Sequence, residues 1–526
     1  MRLSSTRRAR AITLLGALSV APAVLAAQPG GVSAGCTIDA NSPKELAVLE
    51  LQFQRAKGVP NAADRQSALK GIMKELDTKP ERFAKNPAGY NLRLAQALTM
   101  WGTEAGVSLT PARGAIGYQT NPTETIDVID ALDASLKAIV AAVPACEADV
   151  KGMRQNEVWL AVTRKALDAS NAGQMDSASL YARRSLKLSA DNPYPHYVMA
   201  SVANAAKDRA GAIGHWKMVI STAGADTNYR DLKNQSQYLI AVNQFEGAMA
   251  ASGAEKQTMA RDAAASFKTL FGIMKDRAEA PSIVQSWSEA LMMSGDTAAV
   301  VTMYSDMKAN PKNYSEGVLT LAASLASQLN KPDDATALFE GALIANPYSH
   351  DALLNLPLMY NGKQEYAKML APSRKLVELE PNNHSGWMWF AYHAQGMANA
   401  VKIPTAKNKA APTPAEVKAI KEASAERKAW SDTLIKYQTF ADGLPVKVEV
   451  AGFSRGAKET SLALRFEQQA AAEGNYSVTV EFVDVAGATV GSATEKVGPI
   501  KKGESKSVTF KAAAPAAIGF RYKAIK

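Results

Sequence analysis

The chain has 526 residues, 47% of them hydrophobic and 21% charged. That is too long for one hydrophobic core and too apolar for a disordered polypeptide, so about two to four folded domains are expected. The formal net charge of +10 falls to +6 without the four arginines of residues 1–26, and the remaining lysines are dispersed, which argues against a nucleic-acid footprint.

Arg7, Arg8 and Arg10 precede an apolar stretch, AITLLGALSVAPAVLA (11–26), which is broken by Pro22 and followed by small residues. This is the layout of a secretory signal peptide, residues 1–26, cleaved after Ala26 or Ala27. As a helix it would rise about 24 Å, short of the ~30 Å hydrocarbon core, so a retained anchor is disfavoured. No later stretch approaches a membrane span. The mature chain is expected to be periplasmic or secreted. Cys36 and Cys146 are the two cysteines. In an oxidising compartment an even count suggests one disulfide. The alternative is a lipid-modified Cys36 after VSAG, which fits less well because Ser33 stands where Leu is wanted and the apolar run ends well before it.

Residues 27–150 read as helical. SPKELAVLELQFQRAKG opens with a Ser–Pro cap signal and has Glu45 three residues after Ser42. Three further helical stretches follow, interrupted by a long loop from Val107 to Pro122. This region is expected to supply degenerate helix pairs ahead of a repeat.

From 151 to 440 the chain repeats. Ala178 and Ala212 are 34 residues apart; Val300, Ala335 and Met369 are spaced by 35 and 34. Four residues after most of these lies an aromatic or apolar residue. Pro311, Pro347 and Pro381 close three of the segments, because proline cannot continue a helix. Upstream, small residues recur in pairs: Ala200 and Ala203, Ala323 and Ala326, Ala391 and Ala394. Trp387, Phe390, Ala391 and Ala394 share one helical face. This period and pattern resemble the tetratricopeptide repeat, a helix–turn–helix unit. The fold class expected is therefore mainly α: a tetratricopeptide-like α-solenoid followed by a small β-sandwich. Residues 225–280 are less regular and read as a longer helix pair. Pro357 stands at a helix-interior position and predicts a kink or a displaced helix.

Residues 402–415, KIPTAKNKAAPTPA, read as an insertion inside the last unit. A helix from Glu416 to about Phe440, with Val417, Ile420, Trp430, Leu434 and Tyr437 near one face, is expected to cap the stack. In 441–526 the apolar period changes to two. Val478, Val480 and Phe482 point one way, and Thr479 and Glu481 the other. About seven strands suggest a small sandwich similar to immunoglobulin-like or fibronectin-type modules.

No catalytic or metal motif stands out. His196, His215, His350, His384 and His393 form no H-x-x-x-H, and no nucleophile elbow, phosphate loop or dinucleotide fingerprint is present. No metal, cofactor or enzyme activity is expected. The family resemblance implies a binding groove lined by the first helix of each unit. Its partner-facing positions fall on Tyr194, Tyr197 and Asn204, on Asp351 and Asn361, and on Met388, Tyr392 and Gln395. The function expected is an extracytoplasmic scaffold for protein or peptide partners with a β-module for docking, and possible contact between that module and an envelope polymer. Two alternatives remain: an envelope enzyme or enzyme subunit using the groove as a cleft, and a surface-attachment protein that binds polysaccharide.

Overall fold

The computed structural model describes residues 36–38, 44–407, 409 and 413–526, so the segment read as a signal peptide lies outside the described residues. Contacts divide the chain into two units, one through residue 243 and one from residue 244.

The first unit is helical: α1 (Lys44–Lys57), α2 (Ala62–Thr78), α3 (Pro87–Thr103), α4 (Val128–Ala142), α5 (Glu147–Arg154), α6 (Glu157–Asn171), α7 (Met175–Leu188), α8 (Pro193–Ala205), α9 (Arg209–Ala223) and the start of α10 (Arg230–Ala250). Polar caps set most of the helix starts. Asn61, Asn86, Asp127, Asn156, Asn192 and Asp208 each accept a backbone N–H from the first turn that follows. Such a cap contributes about 1 kcal/mol by satisfying a donor that the helix cannot. Sequential helices pack as hairpins, α3 on α4, α6 on α7 and α8 on α9, and α6 also meets α8. Ala178, Ala182 and Ala212 are fully buried, and Trp216 packs in the same cluster as Ala200 and Ala212. Small residues at these positions let the helices approach closely.

The Val107–Pro122 loop is ordered by its backbone. The Asp77 carboxylate accepts from the amides of Gln119 (2.7 Å) and Thr120 (2.8 Å), and the Arg113 guanidinium lies 4.1 Å from the centre of the Tyr118 ring. Gly117 has φ +110, and a side chain there would strike the Lys70 backbone. Cys36 and Cys146 form a disulfide with Cα atoms 4.7 Å apart, tying residue 36 to the turn before α5.

The second unit continues with α11 (Gly253–Met274), α12 (Ala280–Met293), α13 (Thr297–Ala309), α14 (Glu316–Gln328), α15 (Pro332–Ala345), α16 (His350–Gly362), α17 (Leu370–Leu379), α18 (His384–Ala400) and α19 (Pro414–Asp442). Val300, Ala335 and Met369 are fully buried, as are Ala323, Ala326, Ala391 and Ala394. Tyr304 and Phe339 occupy the positions four residues on, each at most 2% exposed. Pro311, Pro347 and Pro381 follow the ends of α13, α15 and α17. Pro357 does not end its helix: α16 runs unbroken through it, with the ring buried. α19 starts at Pro414, under a capping box between Thr413 and Glu416, and packs along α18. Trp387 and Phe390 meet its Tyr437 at 6.5 and 5.1 Å between ring centres.

The last elements are β1 (Val446–Arg455), β2 (Thr460–Gln468), β3 (Gly474–Val483), β4 (Thr489–Ile500), β5 (Ser505–Ala512) and β6 (Gly519–Tyr522). There are six strands among the described residues rather than about seven. They form two antiparallel three-stranded sheets, ordered β1-β2-β5 and β4-β3-β6. Val478, Val480 and Phe482 point into the core with Phe466, Phe510 and Phe520, while Thr479 and Glu481 face outward.

Candidate partner-binding faces and the joint beneath the sandwich

In the first unit, α8 carries three of the residues expected to face a partner. Tyr194 is not available: it is 5% exposed and packs edge-on against Tyr229, with ring centres 5.7 Å apart. Its position beside Val219 and Leu232 makes it a core residue of the α8–α9–α10 layer. Tyr197 is half-buried against the same layer, and burial pushes its phenol pKa up. Asn204 is exposed at the end of α8.

In the second unit, Asp351 is exposed in the first turn of α16 and Asn361 is half-buried near its end. On α18, Met388, Tyr392 and Gln395 are spaced by four and three residues, so they share one helical face. Met388 and Tyr392 are half-buried and Gln395 is exposed, while Phe390, Ala391 and Ala394 on the other side are buried. Tyr392 leans on Trp389, ring centre to ring centre 5.5 Å. α16 and α18 are in contact.

A second cluster was not anticipated. It lies where the sandwich meets α15, α16 and α17. Asn382, 1% exposed, uses its whole amide there. Its Nδ2 donates to the carbonyls of Val446 (3.2 Å) and Ile525 (3.0 Å), and its Oδ1 accepts from the Ile525 amide (2.8 Å). Its own carbonyl accepts from the Val448 amide at 3.0 Å. One residue therefore joins β1 to the segment after β6. Asn346 Nδ2 donates to the Ile518 carbonyl at 2.8 Å, and Gly519 leaves no room for a Cβ beside Tyr348. Beside this, His350 Nδ1 lies 2.6 Å from Glu380 Oε1, with the Phe520 ring centre 6.4 Å from that of His350. The other carboxylate oxygen accepts from Asn383 Nδ2 at 2.8 Å. An apolar cleft of about 650 Å³, lined by Pro381, Trp387, Phe440, Leu444, Pro445 and Ile525, opens alongside.

Burial opposes a charge on His350, but the carboxylate of Glu380, by charge and hydrogen bond and with help from Asp351, outweighs it and raises the pKa above 6.5. A raised folded-state value means that the pair's stabilisation is complete below the ordinary histidine pKa and declines as pH rises through the folded one. The stability advantage of wild type over His350→Gln should therefore be larger at pH 5.5 than at pH 8.5 in urea unfolding. An equal advantage at both would show that no charged pair forms.

Among the described residues there is no group of three or more His, Cys, Asp or Glu placed to hold a metal, and no helix is long and apolar enough to cross a membrane. No protein-family model and no curated protein matches the sequence. Solved structures similar to this chain include PilF of Pseudomonas aeruginosa, 13% identical over 55% of this chain and 97% of that one, with a TM-score of 0.19. A tetratricopeptide protein of Thermus thermophilus is 13% identical over 45% and 98%, TM-score 0.17. Another from Parabacteroides merdae is 12% identical over 44% and 92%, TM-score 0.16. Superpositions this loose carry no argument, and the case for stacked helical hairpins stands on the buried 34-residue pattern itself.

Proposed function

We propose that the chain is an extracytoplasmic scaffold. It holds protein or peptide segments on the first-helix faces of its repeats, and its sandwich, anchored on one flank by Asn382, presents its outer surface to a further partner or an envelope polymer. In this reading residues 27–150 open the stack, 151–440 form the repeat region with an insertion at 402–415, and 441–526 are the docking module. The observation that carries it is α18, where Met388, Tyr392 and Gln395 reach solvent from a helix whose opposite face is buried. A tyrosine offers area and a hydroxyl at low entropic cost, and an amide can pair with an extended peptide backbone. Asp351 and Asn361 extend that face on α16, and Tyr197 and Asn204 form the corresponding surface of the first unit. The disulfide and the basic–apolar N-terminus support a periplasmic or secreted location.

The test begins with partners captured from envelope extract and identified by mass, followed by affinity measurements on purified pairs. Tyr392→Ala should weaken binding about tenfold, the scale of one interface aromatic, with little change in melting temperature; Tyr197→Ala should weaken it likewise but also lower the melting temperature, because that ring packs on the Ala212–Trp216 core. Unchanged affinity in both would remove the groove assignment.

A further inference from the structure

His196 on α8 and His215 on α9 face each other across one helical hairpin. Their Nδ1 atoms are 3.4 Å apart, with ring centres at 5.6 Å and planes tilted by 32°. His196 is 8% exposed, and its Nε2 lies 3.1 Å from the Ala190 carbonyl oxygen. A carbonyl only accepts, so this contact places the His196 proton on Nε2 and leaves a lone pair on Nδ1, aimed at His215. His215 is half-buried and keeps one side of the pair open to water. In the metal-free pair, His215 Nδ1–H donates to His196 Nδ1.

The same arrangement is the first half of a metal site. Metal-binding imidazoles commonly donate their second ring N–H to a backbone carbonyl, which sets tautomer and orientation. Two nitrogens 3.4 Å apart, each about 2.05 Å from a common ion, subtend about 112°, close to the tetrahedral angle. We propose that His196 and His215 bind a borderline divalent transition ion, Zn(II), Cu(II) or Ni(II), through both Nδ1 atoms. Imidazole nitrogens suit these ions, whereas carboxylate and water sites suit Mg(II) and Ca(II). On binding, the His215 proton moves from Nδ1 to Nε2 through solvent, so both rings stay neutral and no proton is released. Among the described residues no third acidic, histidine or cysteine ligand completes the set. Asp208, which acts on His215 through its charge, is engaged as the α9 cap with its Oδ1 2.9 Å from the Gly211 amide. Water therefore fills the remaining positions, and the ion exchanges readily.

The experiment uses the full mature chain without an affinity tag, titrated separately with Zn(II), Cu(II) and Ni(II) by calorimetry. Co(II) serves as an optical probe of tetrahedral geometry. One ion per chain is expected for at least one of the three, with both ring Nδ1 resonances shifted in nitrogen NMR. His215→Asn keeps a donor for His196 Nδ1 but removes the ligand, and should weaken binding at least tenfold with an unchanged melting temperature. His196→Gln keeps a donor for Ala190 and should do the same. If His196→Gln does not fold, His215→Asn and the ring resonances decide. No binding at millimolar ion, or equal binding by His215→Asn, overturns the site and leaves a plain histidine–histidine hydrogen bond.

Discussion

Asn382→Ala is expected to lower the stability of the second unit by about 3–5 kcal/mol. The substitution deletes three side-chain hydrogen bonds, to Val446, Ile525 and Ile525 again. It leaves the buried Val446 carbonyl and the half-buried carbonyl and amide of Ile525 without partners, and each such group costs up to about 1–3 kcal/mol. Partial entry of water into the gap would offset some of that. The measurement is the urea midpoint followed by a probe of the sandwich, together with limited proteolysis between α19 and β1. Asn346→Ala, which loses one bond across the joint to Ile518 and one local bond from the Tyr348 amide, should cost less. A midpoint shift worth under about 1 kcal/mol for Asn382→Ala would show that the amide does not hold the joint.

Removing the disulfide should have a comparable effect on the first unit. The bond spans 110 residues. A loop of that size restricts the unfolded chain enough to be worth about 4–5 kcal/mol in the chain-entropy account. Cys36→Ser/Cys146→Ser, or wild type under reductant, should lower the melting temperature of the first unit by on the order of 10 °C. Trp101 and Trp159, which share a core with both cysteines, give the fluorescence readout. A melting temperature independent of reductant would mean that this core closes without the covalent link.

The repeat was legible because its signal is periodic burial. A small or apolar residue at 178 or 212, or at 300, 335 or 369, is uninformative singly, but recurrence at 34–35 residues within each set requires its members to face the same kind of neighbour, and all five are fully buried. Alternation in β3 was legible for the same reason. Tyr194 is misleading: the tetratricopeptide pattern that the sequence resembles would put it in a groove, yet Tyr229 and Leu232 from the following chain close over it. That next element is not a regular repeat, so the family pattern does not describe its covering. Asn382 was invisible because its partners lie 64 and 143 residues away. No local spacing signals His196 and His215, because the pair crosses a turn between two helices, 19 residues apart.

Asn382 has a consequence for how the sandwich can meet other molecules. An open rim strand normally offers unpaired amides and carbonyls to any extended segment that comes by, in useful recruitment or in aggregation. Here the Val446–Val448 stretch and the chain at Ile525 already spend those groups on one asparagine from the repeats. Strand addition is closed at the Val446–Val448 end of β1, and a newcomer at that end must be recognised through side chains instead.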